Sequence, residues 1–178
     1  MRSTGTIDDF IVGRNAELVY KKVNASTNNE SYNTDFYFNN TAGQGFDLGY
    51  DAEVWGGLTS DFVIYSHLVE NNQGDTMAFQ ALNTNDISNI TIPLGVNANQ
   101  GEHLTFSIAE STLPESANVY LDDVVSNTST LLKNGDYVIT PTTNLSGTGR
   151  FFLRTSEDAL STLNNNSYTF AYFRFKWF

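Results

Sequence analysis

One pattern dominates the chain between Ala16 and Thr155. Short apolar and aromatic runs, many of them alternating with polar residues, are separated by clusters of Asn, Asp, Gly, Ser and Thr. Period-two alternation marks a strand with one buried face. The separating residues are turn formers: Gly and Asn tolerate positive φ, and Asp, Ser and Thr bond nearby backbone. Strands are predicted at 16–23, 35–39, 62–68, 77–82, 89–95, 103–109, 117–122, 136–140 and 149–155. In 62–68, Val63, Tyr65 and His67 share one face and Phe62, Ile64, Ser66 and Leu68 the other. In 89–95, Ile90, Ile92 and Leu94 share a face, and Pro93, which lacks an N–H, predicts an edge or a strand end. Leu104, Phe106 and Ile108 are the buried set of 103–109. Strands of this length and spacing predict an all-β fold, an antiparallel β-sandwich of jelly-roll type.

Only Ser156–Leu163 (SEDALSTL) has a helical pattern, with Ser156 as cap and Asp158 in the first turn. At most one short helix is therefore expected, near 156–163. Neither an internal repeat nor a linker divides the chain, so 1–178 is predicted to be one sandwich domain with 1–15 loosely held. The most loop-like stretch is 24–34 (NASTNNESYNT). The end of the chain is atypical: 164–178 closes on the aromatic, cationic segment Tyr168–Phe178 (YTFAYFRFKWF), predicted to pair as a strand. Left unpaired it is an aggregation hazard, which makes a dimer through this strand an expectation. Its alternation is wrong for the last strand of a membrane barrel, because Arg174 and Lys176 share phase with Phe178.

Charge and composition narrow the partners. The net charge of −11 repels phosphates, and no basic stripe offsets it, so nucleic acid is not expected as a partner. The same charge disfavours anionic membranes, and no run of about 18 apolar residues is present, so membrane insertion is not expected. Without cysteine there are no disulfides, thiolate metal sites or cysteine nucleophiles.

Few constellations carry chemistry. In the turn Phe46–Glu53 (FDLGYDAE), Asp47, Asp51 and Glu53 lie close together between flexible glycines. Oxygen-rich loops of this kind suit Ca²⁺ in a structural role, although the spacing is not that of an EF-hand. The alternative is an acidic turn whose carboxylates accept backbone N–H bonds. Trp55, with Tyr50 and Asp51 nearby, is the candidate sugar-binding group: a ring contacts sugar C–H faces and polar groups set orientation. The alternative places both rings in the core. Asp122 and Asp123 are adjacent at a strand end, pointing to opposite faces, which favours turn capping over a shared cation site. His67 and His103 fall in separate strands. There is no G-x-S-x-G elbow, and Gly147-Thr148-Gly149 enters a strand, unlike a phosphate loop.

Several segments in order resemble a known family. They are Gly45–Asp51 (GFDLGYD), Val54–Gly57 (VWGG), Ile64–Val69 (IYSHLV), Pro93–Gly95 (PLG), Leu113–Asp123 (LPESANVYLDD), Gly135 with Tyr137, and Gly147–Leu153 (GTGRFFL). Over about 16–163 the chain is similar to the β-sandwich segment preceding the type IX sorting domain in large secreted proteins of the Bacteroidetes. The resemblance implies an extracellular or cell-surface location and transfers no catalytic residues. The expected function is thus a non-catalytic binding or adhesion module of a secreted bacterial protein, directed at polysaccharide or at neighbouring domains. The alternative is a structural spacer.

Overall fold

Side-chain phase decides how each strand sits. In Val19–Ser26 (β1), Lys21, Val23 and Ala25 are buried while Tyr20, Lys22, Asn24 and Ser26 face out. The computed structural model describes residues 19–55, 58, 61–70 and 75–157. The other strands are Ser31–Asn39 (β2), Ala52–Glu53 (β3), Val63–Ser66 (β4), Met77–Asn83 (β5), Asn89–Asn97 (β6), Leu104–Ser111 (β7), Ala117–Asp123 (β8), Thr128–Leu131 (β9), Tyr137–Ile139 (β10) and Phe151–Glu157 (β11). The fold is all-β. Its one described helical turn is a short 3₁₀ segment at Thr84–Ser88, capped by the Asn83 side chain on the Asn85 N–H.

The strands form one continuous sheet in the order β10-β7-β1-β2-β5-β4-β6-β11-β8-β9, with β3 added to β5. The sheet curls so that its two halves face each other across a single core. Val23, Phe36 and Phe106 come from one half, and Ile92, Leu121, Phe151 and Leu153 from the other. Phe106 and Phe151 meet across the core with ring centroids 5.0 Å apart. The curl brings the sheet ends together: the Tyr137 hydroxyl on β10 donates to Asp123 Oδ2 on β8 at 2.8 Å. One pair, β2 with β5, is parallel, a departure from a wholly antiparallel sandwich. The chain therefore crosses over between residues 39 and 77, and that crossover carries β3, β4 and the acidic turn.

Three local expectations are corrected. The loop expected at 24–34 is a β-hairpin, with Asn24 paired to Asn33 and Ser26 to Ser31. Its polar residues are the outward phase of two strands, and Asn24 Nδ2 donates to Ser31 Oγ at 2.7 Å and Asn33 Oδ1 at 2.8 Å. Pro93 lies in the interior strand β6, between β4 and β11. It is tolerated because β4 ends there: the His67 N–H donates to Pro93 O at 3.0 Å, just past the last paired residue of β4, Ser66. Ser156, expected as a helix cap, is a strand residue of β11 that pairs with Asn89 of β6 and Asn118 of β8. All four residues of β4 are buried, so Val63–Ser66 has no solvent face. Residues 1–15, 158–163 and 164–178, including the aromatic end segment, lie outside the described residues. Among the described residues no helix is long and apolar enough to cross a membrane.

Candidate binding face

The outward phase of the β7-β1-β2-β5 half builds an open surface. Thr105 and Ser107 on β7, Asn24 and Ser26 on β1, and Ser31 and Asn33 on β2 give it hydroxyl and amide groups, and Lys22 on β1 an ammonium. Across one end runs a row of rings. Tyr20 on β1 lies opposite Tyr37 on β2, with centroids 6.1 Å apart and an interplanar angle of 29°. Tyr37 continues to Phe79 on β5 at 6.0 Å and 21°. Offset stacking of this kind holds each ring in place. Phe79 is 37% exposed, so the row opens to solvent at its β5 end.

Charged groups flank the row. The Tyr20 hydroxyl donates to Glu110 Oε2 at 2.6 Å, and Lys22 Nζ lies 3.7 Å from Glu110 Oε1. The Tyr20 hydrogen bond, then Lys22, lower the Glu110 pKa, and the same hydrogen bond raises that of Tyr20. Asp35, opposite Lys22, is buried, and burial raises its pKa. A β-bulge in β7 next to Lys22 and Val23 sets Glu110 on this face.

The acidic turn sits beside the row. Ala52 of β3 pairs with Phe79, so the turn adjoins the β5 end of the row. Its carboxylates are spent on backbone. Asp47 Oδ2 accepts from the Gly43 N–H at 2.7 Å. Asp51 Oδ2 accepts from the Asp47 N–H at 2.7 Å, and Asp51 Oδ1 from the Ala81 N–H at 2.6 Å. Burial raises the Asp51 pKa, against the lowering effect of these two bonds. Asp51 thus pins the turn to β5, each of its oxygens accepting one backbone N–H. Asp47, Asp51 and Glu53 form no metal cluster: no group of three or more His, Asp or Glu side chains suited to a metal exists among the described residues. Asp47 and Asp51 accept backbone N–H bonds of the turn and of β5, and Glu53 is exposed on β3.

The rings of the turn behave oppositely to core residues. Trp55 is 99% exposed and Tyr50 59%, with Phe46 and Leu48 also in solvent. Asp122 and Asp123 point to opposite faces, as alternation requires. Asp122 is held by Arg154 at 2.8 Å. Asp123 caps the β8–β9 turn through the Val125 and Ser126 N–H groups. His67 packs its ring 5.6 Å from Tyr65.

Sequence reasoning missed Tyr20, Tyr37, Phe79 and Glu110. The outward phase of Tyr20 and Lys22 was visible within β1, but the row exists only through strand pairing. No protein-family model matches the chain, and neither a curated protein nor a solved structure does.

Proposed function

We propose that the chain is a non-catalytic carbohydrate-binding module that works outside the cell or at its surface. The observation that carries this is an open aromatic row, Tyr20–Tyr37–Phe79, adjoined through the β3–β5 pair by a turn whose rings Tyr50 and Trp55 are exposed. A ring face covers the C–H surface of a sugar, and the neighbouring amides, hydroxyls and Glu110 satisfy its hydroxyls. Rings held by stacking, as Tyr20, Tyr37 and Phe79 are, lose little freedom on binding. The acidity of the chain and its resemblance to a secreted sandwich segment support the location.

The test is affinity electrophoresis against a panel of neutral and acidic polysaccharides. The wild-type chain is expected to be retarded by at least one. Tyr37→Ala and Trp55→Ala each weaken that retention by roughly tenfold, the loss of one anchoring ring. A chelator leaves it unchanged, because backbone amides already satisfy Asp47 and Asp51. Retention by no glycan would overturn the proposal in favour of a structural spacer.

A further inference from the structure

Lys21 is the anomaly of the core. It stands in phase with Val23 and Ala25, is 1% exposed, and its Nζ has no hydrogen-bond partner. The other described cations are engaged. Lys22, Arg150 and Arg154 are ion-paired, and Lys133 Nζ reaches the Glu115 carbonyl at 3.4 Å. An unpaired amine in an apolar interior is costly, and an apolar residue would fill the position without that cost.

Lys21 is one of the residues that line a cavity of about 360 Å³ between β1, β7 and β8. Ile108, Leu113, Ala117, Val119 and Leu132 make its walls apolar. Ser111 also lines it, brought opposite Lys21 by the bulge in β7. Glu115 and Lys133 are its other charged groups, and both are exposed, at the solvent side. Glu110, Lys22 and Asp35 belong to the opposite face of the sheet. The size is at the small end of the range for ligand sites, and the cavity is apart from the aromatic row.

We propose that this cavity binds a small monocarboxylate with an apolar body, its carboxylate paired with Lys21 Nζ. Such a ligand supplies the missing counter-charge and hydrogen-bond acceptor, and its body covers the apolar walls. A neutral molecule of the same shape gains only the second term. Burial holds the Lys21 amine at a pKa of about 7, so the charged form that a carboxylate needs is favoured below neutrality. The bound anion draws that equilibrium further toward the ammonium.

The experiment is an NMR titration of the full chain with hexanoate and with hexanamide, at about pH 6 and about pH 9, on either side of the Lys21 titration. Lys21→Met keeps the length of the side chain and removes the charge. Hexanoate is expected to shift the amides of Lys21, Ser111 and Val119 saturably. Its affinity falls by about tenfold from pH 6 to pH 9, and hexanamide binds about tenfold more weakly at pH 6. In Lys21→Met, which folds without the buried amine, the preference for hexanoate disappears. Equal affinities for acid and amide would overturn the proposal, as would a preference that survives in Lys21→Met. No saturable shift at these amides would do the same.

Discussion

Lys21 and Asp123 are each only 1% exposed, and the fold treats their charges in opposite ways. Asp123 is surrounded by donors. Arg150 approaches through Nε at 3.0 Å and Nη2 at 2.8 Å, and the Tyr137 hydroxyl and two backbone N–H groups add to it. Burial alone would raise its pKa. The Arg150, Tyr137 and Ser126 bonds outweigh burial and hold it well below the usual carboxylate range. A depressed carboxylate contributes stability above its unfolded value of 3.8, and that stability is lost as pH falls toward the folded value. Lys21 runs the other way. Unfolded, it keeps its proton up to 10.5; folded, it releases it at about 7. Between these values the unfolded chain binds more protons, so stability rises with pH, by an amount on the order of 5 kcal/mol. Urea denaturation across pH should therefore show an acid limb and an alkaline limb. Asp123→Asn is expected to flatten the first and cost about 3 kcal/mol at neutral pH, because Arg150 loses its buried partner. Lys21→Met is expected to flatten the second and raise the neutral midpoint. Limbs unchanged by these substitutions would show that other groups set them.

Among the elements, β4 and β6 show how a strand can be fixed by what a residue lacks. Gly95 lies opposite Tyr65, and a Cβ there would come within 2.1 Å of the buried ring. Gly95→Ala is expected to cost about 1–3 kcal/mol by overpacking, seen as a lower urea midpoint. Tyr65→Leu in the same chain should recover part of it, whereas no recovery would place the strain in the backbone instead. The strands were largely legible because alternation reports burial of one face, as at Leu104, Phe106 and Ile108. It failed where neither face is apolar. Thr128–Leu131 was missed because β9 is a polar edge strand. The β1–β2 hairpin was mistaken for a loop because Asn24, Ser31 and Asn33 are turn formers by composition. Here their side chains bond across two strands, which composition alone does not convey.

At the scale of the molecule, the sheet class was legible and the proposed binding face was not. Tyr20 and Tyr37 are 17 positions apart, and Phe79 is another 42 along. Only the hairpin register and the parallel β2–β5 pair make one row of them. The Trp55 turn was visible as a motif, but its sequence could not show whether its rings face the core or the solvent. The strand order also bears on how the molecule comes into being. β1 lies between β2 and β7, and β6 between β4 and β11, so early strands wait for late ones. A fragment ending at residue 140 lacks β11 and leaves the inner edges of β6 and β8 open. It is expected to be digested by protease under conditions where the full chain resists, and a resistant fragment would show that the remaining strands close without β11. During synthesis, the first half of the chain leaves the ribosome with its core residues exposed and nothing to cover them. Assembly then comes as one late event, at the slow pace of distant pairings, and the growing chain must be kept from sticking to its neighbours until its last strand is made.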